Sequence, residues 1–170
     1  MNDAKNLAKS VEWYTPAKYI EAARSAFGGT IDLDPASCEK AQEIVKAERY
    51  LTVGDDGLAL EWSGNVFCNP PYGRGMMQKW IAKCIEEHKK GCNIILLVNA
   101  NTSEKWFQPL YAYLICFTNH RIRFIDQDGI EAKSPACGNA FIYIGDKDWK
   151  FVEYFHRFGS IMQRRYNEAI

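Results

Sequence analysis

The sequence predicts an α/β fold: an open, mostly parallel sheet with helices on both faces. Three observations point there. Short apolar runs alternate with segments of helical period through the middle of the chain. The strand read at residues 93–99 is continuously apolar between its end asparagines (Ile94, Ile95, Leu96, Leu97, Val98), as a strand covered on both faces must be. The 170 residues are 47% hydrophobic and 25% charged, enough apolar material for one proper core. Residues 12–170 therefore read as a single domain, preceded by a flexible polar arm at residues 1–11.

Each element has a local cause. Thr15-Pro16 opens a helix, with Thr as N-cap and Pro at the first position, and Ile20, Ala23 and Phe27 follow at helical spacing. Gly28-Gly29 ends it, and Thr30-Ile31-Asp32-Leu33-Asp34 reads as a short strand with a polar end. Residues 37–47 read as helix and Asp55-Asp56-Gly57 as a turn. The apolar run at residues 65–68 is stopped by Pro70-Pro71. Residues 78–88 carry Trp80, Ile81, Cys84 and Ile85 on one face of a helix that closes near Gly91. Beyond the buried strand, residues 105–110 read as a short helix and 113–118 as a strand. Residues 122–125 and 140–144 are further strands, split by a turn at Asp128-Gly129, and residues 149–158 form the last helix.

Composition removes several classes of function. No segment has the apolar length that crosses a bilayer, and the N-terminal residues lack the apolar core of a signal peptide. None of the six cysteines are two residues apart, and the three histidines do not join them at zinc-ligand spacing, so no metal is expected. Cys68 and Cys116 lie in apolar runs, as buried free thiols do, which suits a reducing cytoplasm. Net charge is zero but unevenly spread. Residues 1–61 hold 7 Lys+Arg against 11 Asp+Glu, and residues 62–170 hold 14 against 10. That split suits a cationic cofactor on one side and phosphates on the other, and equally an ordinary solvated surface.

The residues with the most chemistry are Asn69-Pro70-Pro71-Tyr72, at the carboxyl end of a strand, where open α/β sheets gather their ligands. Asn69 precedes a proline and is held extended. Pro70 and Pro71 have no N–H, so the loop presents carbonyl acceptors without neighbouring donors. Tyr72 adds a flat ring. Two acceptors beside a stacking face suit a planar group carrying an NH₂, whose lone pair they would turn out of conjugation. A proline-rich turn or a polyproline ligand is the plain alternative, but such a ligand would normally lie in a disordered segment rather than between a buried strand and a helix.

With that motif the sequence resembles the amino-methyltransferases of DNA, and specifically the small phage-type DNA N-6-adenine methyltransferases. Four segments carry the likeness: Glu12-Trp13-Tyr14-Thr15-Pro16, Ile31-Asp32-Leu33-Asp34-Pro35-Ala36-Ser37, Asp55-Asp56-Gly57-Leu58 with Trp62, and Asn69-Pro70-Pro71-Tyr72-Gly73. It implies a Rossmann-like S-adenosylmethionine-dependent methyltransferase fold, with S-adenosylmethionine as cofactor and double-stranded DNA as partner. It implies a bacterial cytoplasm and a phage or prophage origin, with restriction–modification as the setting. It implies Asn69, Pro70, Pro71 and Tyr72 as catalytic residues. The expected cofactor set is Tyr14, Thr15, Pro16, Asp32, Asp34, Pro35, Asp55, Asp56 and Asn69. Within it, Thr15 is expected near the methionine carboxylate and Asp34 facing the amino group. Asp55 or Asp56 takes the adenine amino group. Where the family carries glycine after the first strand, this chain has Ser37-Cys38-Glu39.

The chain is too short for a separate target-recognition domain, so DNA contacts fall to loops. Arg121-Ile122-Arg123-Phe124, followed by Lys133-Ser134-Pro135, resembles the family's second signature, and Arg74 follows the catalytic motif. The expected DNA set is Tyr72, Arg74, Arg121, Arg123, Phe124 and Ser134, on a monomer or weak dimer. Arg121 and Arg123 would share one sheet face and reach phosphates or base edges, or simply keep an edge strand soluble. Asn99 should lie in the same cleft or cap the next helix. Rival substrates for the same chemistry are cytosine N-4, RNA and protein glutamine, and the rival class is a non-catalytic nucleotide- or DNA-binding module.

Overall fold

The structure is a computed structural model and describes residues 13–163; the arm expected at residues 1–11 lies outside them. In chain order the elements are α1 (Ala17–Phe27), β1 (Leu33–Asp34), α2 (Glu39–Val45), β2 (Arg49–Tyr50), β3 (Asn65–Cys68), α3 (Met76–Lys89), β4 (Asn93–Asn99), β5 (Leu114–Thr118), β6 (Asn139–Ile144), α4 (Asp148–Phe155) and β7 (Gly159–Met162). Short 3₁₀ turns fill Gln108–Ala112 and His156–Phe158. One sheet runs in the order β2-β1-β3-β4-β6-β5-β7.

The α/β class is as expected, but the sheet is mixed rather than mostly parallel. The β2, β1, β3 and β4 strands run parallel, whereas β6 is antiparallel to both β4 and β5, and β7 is antiparallel to β5. A parallel return needs a crossover of a dozen or more residues, usually a helix. Between β5 and β6 the chain forms turns and isolated bridges but no helix, so β6 comes back antiparallel.

Helices do cover both faces. In β4 the side chains alternate: Ile94, Leu96 and Val98 pack with Trp80, Ile81 and Cys84 of α3. Ile95 and Leu97 face the other way, into Tyr19, Ile20 and Ala23 of α1 and Phe151 and Phe155 of α4. The helix α1 ends where Gly28 takes φ 90°, so that the N–H groups of Gly28 and Gly29 reach the carbonyls of Ser25 and Arg24.

Three local expectations need correction, and two strands were not expected at all. Pro16, not Thr15, is the N-cap of α1, and no side chain caps that end. The short helix at 105–110 is instead the 3₁₀ turn Gln108–Ala112, with Pro109 inside it. The strand at 122–125 shrinks to a bridge from Ile125 to Tyr14 and to Glu131. The edge strands β2 and β7 carry no clear apolar alternation that would have announced them, and both residues of β2 are exposed.

Phe141 of β6 is fully buried, with ring centroids 5.4 Å from Tyr19 and 5.0 Å from Phe155. Phe141→Ala is expected to cost roughly 3–5 kcal/mol of stability, read as a lower urea midpoint with the slope unchanged.

Candidate active site

A cleft of about 950 Å³ opens beyond the carboxyl ends of β1, β3 and β4 and is closed on one side by the 132–137 loop. Asn69, Pro70, Pro71 and Tyr72 all line it. Strand β3 stops at Cys68, level with Leu96, while β4 runs on to Asn99. Pro70-Pro71 turns the chain away there, having no N–H to continue the ladder. Asn69 Nδ2 donates to Thr15 Oγ1 at 3.3 Å, so the threonine expected to cap a helix instead orients this amide. Among the described residues, nothing donates to Asn69 Oδ1 or to the Pro70 carbonyl. The Tyr72 hydroxyl accepts the backbone N–H of Asn99. The residue stays 48% exposed, while desolvation pushes the phenol well above its ordinary range.

The second group of cleft residues surrounds Asp34. This carboxyl ends β1 at only 4% exposure. It accepts the Ala36 N–H at 3.3 Å and Gln42 Nε2 at 3.0 Å. Gln42 also donates to Ser37 Oγ at 2.7 Å and accepts the Ala47 N–H at 2.9 Å, which fixes its amide. Burial pushes Asp34 up to about 6, against the lowering effect of hydrogen bonds from Ser37, Ala36 and Gln42. Tyr14, Thr15, Pro35 and Asp56 stand in the same wall. A Cβ on Gly57 would fall 2.0 Å from the Pro35 carbonyl, so only glycine lets the turn at 55–57 close against β1's exit. Trp62 Nε1 donates to the Gly57 carbonyl at 2.8 Å and holds that turn from below.

Not every expected residue reaches the cleft. Pro16 does not line it. Asp32 Oδ2 accepts the Asn65 N–H at 2.7 Å, joining β1's entry to β3's first residue. Asp55 Oδ2 is taken by the N–H and hydroxyl of Thr52, at 2.8 and 2.7 Å. Of the acidic pair, only Asp56 is in the wall. Of the expected DNA set, Tyr72, Phe124 and Ser134 line the cleft, while Arg74, Arg121 and Arg123 are exposed outside it. Arg121 Nη1 donates to the Pro135 carbonyl at 3.1 Å. Asn139, a buried amide in the cleft, is the residue that sequence reasoning missed. Its signal was a polar residue just ahead of the apolar run at 140–144. Among the described residues no cluster of His, Cys, Asp or Glu is placed to hold a metal ion, and no helix is long and apolar enough to cross a membrane.

The sequence pattern of the DNA N-6-adenine-methyltransferase (Dam) family matches residues 4–164. No curated protein matches the chain.

Asp34 carries a stability cost that pH exposes. Its folded value is raised, so the native state holds the proton more tightly than the unfolded chain between about pH 4 and pH 6. Stability therefore falls as pH rises through that window. Relative to Asp34→Asn, the wild-type protein should lose up to about 3 kcal/mol between roughly pH 4 and pH 7. Parallel urea titrations of the two proteins check this; identical pH profiles would contradict it.

Proposed function

The chain belongs to the DNA N-6-adenine-methyltransferase family, and on that premise we propose that it transfers a methyl group from S-adenosylmethionine to N-6 of adenine in double-stranded DNA, with the target base flipped into the cleft and held by Asn69, Pro70 and Tyr72. One observation carries this reading: two acceptors without donors, Asn69 Oδ1 and the Pro70 carbonyl, share a cleft with an exposed aromatic face and a buried carboxyl.

The residues divide the work. The two acceptors take the hydrogens of the amino group and rotate its lone pair out of the ring's π system. Pro71 holds the turn in shape. The Tyr72 ring stacks on the extruded base, a contact of about 1–3 kcal/mol, and extrusion is required because the amino group is inaccessible inside the duplex. S-adenosylmethionine, when bound, supplies a methyl group already activated by its sulfonium. No strong base is needed, so the chain contributes chiefly position.

The cleft suits that cofactor. Its volume lies within the roughly 300–1,000 Å³ of small-ligand sites. An ionised Asp34 carboxylate would complement an ammonium or sulfonium, and Thr15 and Asp56, which line the same cleft, would serve the methionine end and the adenine amino group. Tyr14 and Pro35 complete the wall. The exposed Arg74, Arg121 and Arg123 would engage phosphates, with Phe124 and Ser134 at the cleft itself.

Asn69→Ala is expected to abolish transfer to DNA while cofactor binding, followed by calorimetry, largely survives; unchanged transfer would refute the mechanism. Cofactor affinity should rise as pH passes upward through about 6, because free Asp34 must lose its proton to meet a cation. Asp34→Asn should weaken binding and flatten that profile. A wild-type affinity that ignores pH across this range would remove Asp34 from the cofactor site.

A further inference from the structure

Asn99 ends β4, Asn139 begins β6, and the two are direct partners across the antiparallel ladder. Both line the cleft, and Asn139 is 3% exposed. One unambiguous donor fixes both amides. The backbone N–H of Ile122 lies 3.2 Å from the Asn139 side chain and can only donate, so the atom it meets is Oδ1. Asn139 thereby turns Nδ2 toward Asn99, 3.2 Å away, and the atom met there must accept: Asn99 Oδ1. That leaves Asn99 Nδ2 with N–H donors that nothing among the described residues accepts. The backbone N–H of the same residue holds the Tyr72 hydroxyl, so the free donor stands beside the stacking ring.

We infer that Asn99 is a specificity-determining residue whose Nδ2 donates to a ring nitrogen flanking the amino group of the flipped base, with Asn139 as its positioning residue. The inference rests on the proposed reaction. In adenine the amino group is flanked by the acceptors N1 and N7. Two protein acceptors with a donor alongside complement that edge, whereas a keto group would meet acceptors with its own acceptor. A protein glutamine amide has no ring nitrogen to offer. An analogue lacking that ring nitrogen leaves the Asn99 donor without its partner and forfeits one hydrogen bond.

The test uses duplexes whose target adenine is replaced by 1-deazaadenine or 7-deazaadenine, turned over by wild type, Asn99→Asp and Asn99→Ala. Asn99→Asp keeps an acceptor for Asn139 and removes the donor; in both variants the backbone N–H still serves Tyr72. Wild type should lose about tenfold in kcat/KM on one of the two analogues. The variants should lose a similar factor on adenine and nothing further on that analogue, with cofactor KM unchanged. Equal turnover of adenine and both analogues by wild type would overturn the inference, as would losses that simply multiply in the variants. The wild-type arm needs no variant to fold. Absence of methylation on ordinary adenine would instead refute the underlying reaction, and the role of Asn99 with it.

Discussion

The site depends on one broken strand. Pro70-Pro71 ends β3 after Cys68, while its parallel neighbour β4 continues to Asn99. Ala100 N–H points to β6, where the Gly138 carbonyl takes it, so Asn99 N–H points to the side that β3 has vacated. A strand N–H that loses its ladder partner needs another acceptor. The Tyr72 hydroxyl fills that place. The same two prolines thus open the cleft, leave acceptors facing it and create the orphan donor that anchors the aromatic ring over it. A proline at one of these positions serves strand termination, loop shape and hydrogen-bond pattern together.

The reversal of β6 adds the other half of the site. Because it runs antiparallel to β4, its first residue, rather than its last, lies at the carboxyl end of the parallel strands. That brings Asn139 against Asn99 and draws the 132–137 loop across the cleft. The Ile122 N–H, between the exposed Arg121 and Arg123, bonds the same Asn139. The segment proposed to meet DNA phosphates is therefore tied through two amides to the proposed catalytic turn. In the same cleft, Asp34 is kept buried at a cost in free energy that a bound cation would offset. Such local conflict between stability and charge is common where a ligand binds.

Much of this was legible in the sequence because it rests on local chemistry. The apolar runs at 65–68 and 93–99 coincide with β3 and β4, and the proline stop after Cys68 marks the cleft. Asp34 and Thr15 were expected in the cleft from the family resemblance rather than from local pattern; both line it, and Thr15 bonds Asn69 instead of capping a helix. What escaped was long-range. Nothing local reveals that β6 returns antiparallel, because strand direction is set by the connection and not by the strand's own residues. Asp32 and Asp34 look alike in sequence, yet Asp32 precedes β1 and is taken by the Asn65 N–H at β3's start, whereas Asp34 ends β1 at the cleft. Asp55 and Asp56 differ by which carboxylate the Thr52 groups capture. Asn139 gains its meaning only from its partner forty residues earlier.

The most direct measurement of the central claim is the nucleoside composition of DNA from a methylation-free bacterial host expressing the chain, digested and analysed by mass spectrometry. N-6-methyladenine should appear with the wild-type protein and be absent from a host carrying the empty vector. Methylation found instead at cytosine N-4, or no modified nucleoside in DNA while labelled S-adenosylmethionine marks RNA or protein, would contradict it.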